Sequence, residues 1–432
     1  MSVSSDPRNF FQSDQSLEKA ERRARKKKEL KDKGQPVTVP TKILALQPDT
    51  SSPAHVYIAE AGNVARRLNI QVCKKALLLV VTELYIKEVK ANKWFFLLSL
   101  MKDPKEPNRI YRGHTAPVTS LALNRDGSVL YTGSWDKNIH AFSTQDKTIL
   151  KTFKGHNDFV KALVFTDILP SKPMLISASS DASIIIWNPE TAERLHVLKS
   201  HPRGVQALAI DPVESTSERV VLYSAGSKQE IKKWSITTTK VAEECEIIQH
   251  ETGVNSLRFL GEEGEEDLWT ASSDMTAKRF ERSALEGLKK GGGSAGGVDP
   301  DTELWHKDFV NDVAMDVGGR WVITACSDEE VRVWDAGTSK LYHKFSGHYD
   351  VVTAIAVIGN DLISVSLDAT VRKWSLEPAD VKAAVEEAHR NEEGAIDDEE
   401  IEGGAIGRSR SNSMLTAEEE AELAELMAEE DD

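Results

Sequence analysis

Cysteine is scarce in this 432-residue chain: Cys73, Cys245 and Cys326 are odd in number and far apart. That argues against a disulfide framework or a cysteine-built zinc site and predicts reduced thiols in a nuclear or cytoplasmic compartment. No uninterrupted apolar run is long enough to cross a bilayer, so no membrane span is expected. The opening residues, MSVSSDPRNFFQSDQ, lack the apolar centre of a signal peptide, which argues against secretion. Missing too are a metalloprotease His-Glu-x-x-His, a phosphate-cradling P-loop and a Gly-x-Ser-x-Gly nucleophile turn. No residue pair stands out as base and nucleophile. The sequence therefore predicts no catalytic residue, no cofactor and no metal.

Charge is plentiful but unevenly placed. The formal net charge is −15, yet between Glu386 and Asp432 18 acidic residues face only Arg390, Arg408 and Arg410. From Lys19 to Lys33 the balance reverses, with 9 basic and 3 acidic residues. A mildly acidic body thus carries two ends of opposite sign. The basic run has good helix formers and little apolar surface, which predicts a mobile tail or a solvated helix over residues 1–34. Arg22 to Lys28 also suits nuclear import or phosphate contact.

Between the ends the sequence repeats. His306 to Asp335 shows the pattern best. Val310, Val313 and Met315 alternate imperfectly with polar residues, and Gly318-Gly319 makes a turn. Trp321, Ile323 and Ala325 follow as a second strand, Ser327-Asp328 turns again, and Val331, Val333 and Trp334 form a third. Leu341 to Phe345 supply a fourth strand before Gly347-His348 restarts the cycle. Gly-His openings, Ser-Asp turns and Trp-Asp endings of this kind resemble WD40 repeats, each one four-stranded blade of a β-propeller.

The expected fold class is all-β: a seven-bladed WD40 β-propeller over residues 35–378, flanked by disordered or helical tails. First strands fall near residues 43, 118, 160, 205, 254, 310 and 351. Blade seven lacks a fourth strand after Ser375-Leu376, and Pro36-Val37-Thr38-Val39 is the candidate to complete it. Residues 72–108 match no repeat. They read either as an insertion that docks a partner or as translated intron, since Val72-Cys73 can be encoded by the splice-site-like GTATGT. Residues 379–432 form an acidic tail in which Pro378 to Arg390 and the stretch after Thr416 have helical character.

The resemblance also assigns roles. In WD40 blades the opening His, a strand-two Ser or Thr, the turn Asp and the strand-three Trp form a hydrogen-bonded chain. That implies structural sets His156, Asp181 and Trp187; His306, Asp328 and Trp334; and His348, Asp368 and Trp374. Blades two and five keep His114 with Asp136 and His250 with Asp274, but have Phe142 and Phe280 for Trp. Blade four has Lys228 where Asp belongs. Partner proteins or peptides are expected on the top face, at Trp135, Asp158, Phe159, Arg203, Asp308, Phe309 and Tyr349, although Phe159 and Phe309 could instead tuck between blades. Ser411 and Ser413, each with Arg three positions upstream, are candidate phosphorylation sites, and Leu423, Leu426 and Met427 offer a further stripe for a partner groove. The implied function is a non-catalytic scaffold, monomeric within a larger nuclear or cytoplasmic complex. The alternatives are a ubiquitin-ligase substrate receptor, whose Trp-Asp-x-Arg motif is absent here, and an RNA- or ribosome-associated subunit using its basic segment on nucleic acid.

Overall fold

The computed structural model describes residues 14–387 except 32, 71–108, 170–171, 238–239, 263 and 287–297. The expectations for residues 72–108, for Ser411 and Ser413 and for the Leu423 stripe lie outside the described residues. Residues up to Val381 form one compact unit. Of the second, Lys382–Asp432, the described part is helical and belongs to a helix over residues 378–387. Among the described residues no helix is long and apolar enough to cross a membrane.

Strands dominate the first unit. Twenty-eight of them make seven four-stranded antiparallel sheets, a seven-bladed β-propeller. The first strands begin at Ile43, Val118, Val160, Val205, Val254, Val310 and Val352. Each second strand is buried nearly throughout, as in Met174–Ser179 and Trp321–Cys326. It sits in mid-blade with neighbouring blades on both faces, so apolar residues run continuously there instead of alternating. The fourth strands lie outermost and carry the exposed apolar residues Ile149, Leu150, Leu195 and Val197.

Blade seven closes the ring. Strand β1 (Val37–Thr38) pairs antiparallel with β28 (Thr370–Ser375), Val37 opposite Val371. The N-terminal segment thus completes the C-terminal blade, which covers an edge that would otherwise expose unpaired backbone groups. Val39 N–H adds a bond to Ala369 O at 2.9 Å.

Every first strand carries a bulge at its second residue, where the register skips. A bulge leaves one residue unpaired and re-aims its side chain. Four of these side chains reach the neighbouring blade. Thr119 Oγ1 donates to Val160 O, Asn255 Nδ2 to Val310 O, Asn311 Nδ2 to Val352 O, and Thr353 Oγ1 to Ile43 O. Deeper in, the buried Asp312 carboxylate accepts from Arg258 of blade five and from Ile355 N–H of blade seven, tying three blades together.

The basic segment also folds onto the body. Helix α1 (Asp14–Glu29) lies over blades six and seven. Arg23 pairs with Asp350 at 2.6 Å, Lys26 pairs with Glu329, and Lys27 Nζ sits 5.8 Å from the centre of the Tyr349 ring. The buried Arg372 guanidinium donates to the carbonyls of Leu30 and Lys33 just past the helix end. The helical alternative for this segment is therefore what forms, and its Arg23–Lys26 face is paired rather than solvated. Periodicity could not show this, because the partners are more than 300 positions away in sequence.

Candidate functional site

The once-per-blade His and Asp residues are the first to place. In blade three, Trp187 Nε1–H donates to Ser177 Oγ at 2.8 Å, Ser177 Oγ–H donates to His156 Nε2 at 2.7 Å, and His156 Nδ1–H donates to Asp181 at 3.2 Å. Blade seven repeats the chain through Trp374, Ser364, His348 and Asp368. Burial pushes the pKa of both imidazoles down, although the Asp charge opposes it. Burial pushes the Asp181 carboxyl up, but hydrogen bonds from Ser183 and Asn157 N–H outweigh it and leave it below the usual carboxylate range. Each chain is hydrogen-bonded from Trp to Asp and largely buried, which suits a structural role.

Blade six departs from the expected set. His306 Nε2, Thr324 and Trp334 are linked, but His306 Nδ1–H donates to Leu304 O and not to Asp328. The cause is Arg332, four residues beyond Asp328 on the strand Glu330–Asp335 that follows the turn. Its guanidinium takes the Asp328 carboxylate through both terminal nitrogens. A full charge outcompetes a neutral imidazole for the acidic group.

Blade four brings a different acid near its histidine but leaves the link open, since neither His201 Nδ1 nor Glu230 Oε1 has a hydrogen-bond partner among the described residues. Lys228 is exposed, while Glu230, two residues on, is buried with Oε1 3.6 Å from His201 Nδ1. Its signal in the sequence is slight: the equivalent positions of blades two, three, five and seven hold Asn138, Ser183, Thr276 and Thr370. In blade two Phe142 cannot donate, so His114 stops at Thr132 and Asp136. His114, Asp136 and His140 are the one group of possible metal ligands that comes together among the described residues. Both His114 nitrogens are already hydrogen-bonded and His140 Nδ1 bonds Thr152, so this trio is that blade's own network.

The top face gives a different picture. In each blade, the residue before the turn position donates its N–H to the carbonyl just ahead of strand one, as Trp135 does to Pro117 and Ser327 to Phe309. These paired positions recur in every blade, with Ala61, Ser180, Ser227, Ser273, Ser327 and Leu367 the counterparts of Trp135.

Two blades meet there with aromatics. Trp135 is 38% exposed and Phe159 is 37% exposed, and their rings stack with centroids 5.1 Å apart. Lys161 Nζ lies 5.7 Å from the Trp135 ring centre. Lys161 occupies the bulge position of blade three, where Thr or Asn stitches four other blades to a neighbour. Burial lowers its pKa from the ordinary lysine value, with Asp158 opposing. Sequence reading missed Lys161 because the bulge that aims it leaves no mark in the period.

The remaining expected contacts divide. Arg203 is exposed, as is Phe309 at 49%, so neither Phe159 nor Phe309 is tucked away between blades. Asp158 and Asp308 are half-buried, each accepting the N–H of the phenylalanine that follows. Tyr349 is not an open contact: Lys27 covers its ring and its hydroxyl donates to Asp368 O at 3.0 Å. Helix α1 has taken that part of the face.

Comparison with known proteins agrees with this architecture. The family described as "WD domain, G-beta repeat" matches residues 105–143, 147–188 and 301–335. An uncharacterized WD repeat-containing protein of Schizosaccharomyces pombe is 30% identical over 436 residues, covering 98% of each chain. This chain belongs to the WD40-repeat family. Striatin-3 of Bos taurus is 26% identical across 66% of this WD40 chain, a match that covers 30% of striatin-3 itself. The COMPASS component SWD3 of Saccharomyces cerevisiae is 26% identical, with 61% of this chain and 70% of SWD3 covered. WD40 propellers are in general non-catalytic interaction scaffolds that bind protein partners.

Proposed function

We propose that this WD40 propeller is a non-catalytic scaffold that holds partner proteins or peptides on its top face within a nuclear or cytoplasmic complex. The observation that carries the reading is the exposed Trp135–Phe159 stack beside Lys161 on that face. Large rigid aromatics next to a half-buried cation make an anchor that binds at low entropic cost. The SWD3 relative, a component of COMPASS by name, lends weight to membership of a complex. The C-terminal region, with Ser411 and Ser413, is a second, regulatory contact in this proposal.

Affinity purification with mass spectrometry tests it on three forms: intact, lacking residues 379–432, and with Trp135, Phe159 and Phe309 all changed to Ala. Each must first match the intact protein in circular dichroism and melting. Loss of partners from the triple variant alone supports the top face. Loss from the truncation alone assigns the work to the acidic tail and overturns the reading.

A second reading rests on α1. With Arg23 and Lys26 engaged below, Arg22, Arg25 and Lys28 remain exposed as a basic stripe, which favours an RNA-associated subunit. Binding to RNA that falls steeply with added salt and disappears with Arg22, Arg25 and Lys28 changed to Ala would support it.

A further inference from the structure

Three of the seven loops leading into a first strand share the pattern His-x-Asp-apolar-Val: His156 to Val160, His306 to Val310, and His348 to Val352. In all three the Asp turns its Oδ1 onto the next backbone N–H, at 2.9 Å to Phe159, 2.7 Å to Phe309 and 2.9 Å to Val351. The other four blades have Thr41, Ala116, Arg203 and Thr252 in place of the Asp. The motif fixes a carboxylate at the rim with its remaining acceptor capacity facing outward.

The copy in blade seven shows what such a carboxylate accepts. Arg23 of α1 donates to Asp350 Oδ1 at 2.6 Å, while Lys27 lies over the adjacent Tyr349. Blade six repeats the carboxylate without an occupant, but its ring follows the Asp, at the position of Val351, where Tyr349 of blade seven precedes it. Asp308 has no cationic partner among the described residues, and next to it Phe309 presents an exposed ring that an arginine can stack on. Blade three differs, because it carries Lys161, whose protonated form the Asp158 charge favours.

We propose that Asp308 and Phe309 form a receptor for an arginine of a basic partner segment, equivalent to the place that Arg23 fills on blade seven. The inference rests on the top-face reading and specifies its partner as a basic peptide. Asp308 supplies the charge-assisted hydrogen bond, Phe309 the stacking surface, and the bond from Phe309 N–H holds the carboxylate in place before binding.

The test uses the full-length protein and a fluorescein-labelled peptide of residues 17–31, titrated by anisotropy at low salt. Asp308→Asn keeps the acceptor for Phe309 N–H but removes the charge, and it should weaken binding about fivefold, the worth of one partly exposed ion pair. Phe309→Ala should weaken it by a similar factor, while Asp158→Asn should change it less than about twofold. Unchanged binding in Asp308→Asn overturns the proposal, as does an equal loss in Asp158→Asn. A loss confined to Asp350→Asn also overturns it, because the peptide would then be replacing α1 on blade seven. If Asp308→Asn keeps the cellular partners that the triple alanine variant loses, the top-face reading stands and the arginine receptor falls.

Discussion

Asp328 and Asp368 occupy the same place in adjacent blades, and the repeat pattern treats them as equivalent. The structure makes them unequal. Asp368 accepts from His348 Nδ1 at 2.9 Å, Tyr349 N–H at 3.2 Å, Thr370 N–H at 2.8 Å and Thr370 Oγ1 at 2.6 Å. Changing it to Ala strips four donors of their acceptor, one of them on a fully buried imidazole. Unmet buried donors cost roughly 1–3 kcal/mol each before relaxation and water offset part of it, so about 4 kcal/mol is expected. Asp328 accepts only from Arg332, Glu330 N–H and, weakly, Cys326, and Arg332 keeps Glu330 at 2.8 Å when Asp328 is gone. Asp328→Ala should therefore cost less, about 2 kcal/mol, because the buried Arg332 keeps one carboxylate partner. In a domain of this size each kcal/mol moves Tm by roughly 2 °C, so scanning calorimetry should show a drop of about 8 °C for Asp368→Ala and about 4 °C for Asp328→Ala. Hydrogen exchange should place the Asp368→Ala damage in blade seven. Equal drops would refute the argument that Arg332 has taken Asp328 out of its blade's network.

Two further outcomes follow from burial and backbone geometry. Burial holds His140, His201 and His306 at about 4, below the ordinary imidazole value, so the fold favours their neutral forms. Their contribution is complete above the unfolded value near 6.5 and is lost as pH falls from there towards 4, so Tm should decline steadily across that window; a flat Tm down to pH 4.5 would contradict it. Gly34 has φ +65°, and a Cβ there would lie 2.7 Å from the Trp374 ring, so Gly34→Ala should cost about 2 kcal/mol and speed tryptic cleavage in the Lys26–Lys28 run. Arg23→Ala, which leaves that anchor intact, should speed it much less.

The blade count was legible because each strand carries its own period and each blade its own turn. The start at Val352 and the completion of blade seven by Val37-Thr38 could be read the same way, the latter from a strand too many at one end and too few at the other. His156, Asp181 and Trp187 were equally legible, since every partner lies within one blade at a fixed spacing. Legibility ended where side chains compete. Arg332 and Glu230 each sit at an ordinary strand position, and only their reach shows that one removes an acid from a network and the other brings a carboxylate to 3.6 Å from His201 Nδ1 without bonding it. It ended again where partners come from distant sequence. Nothing local to Tyr349 or Asp350 announces that Lys27 and Arg23 cover them.

That cover has a graded hold. At its C-terminal end α1 is tied to ring closure: Arg372 grips the carbonyls of Leu30 and Lys33, Lys373 N–H donates to Gly34 O at 2.8 Å, and β1 follows directly. Just before that end it rests on Arg23–Asp350 and Lys26–Glu329, ion pairs whose basic side chains remain 34% and 30% exposed. Pairs of that kind contribute about 0.2–1 kcal/mol each. Breaking these two pairs therefore costs on the order of 1–2 kcal/mol, while releasing the end near Gly34 would open the blade itself. A partner bringing its own arginine to Asp350 competes with a tethered Arg23 at a local concentration in the millimolar range, and at the Asp308 rim of blade six it meets no such rival. Blade six is thus where the proposed basic segment gains a foothold, and the Arg23 and Lys26 pairs are what it can displace next without disturbing the ring.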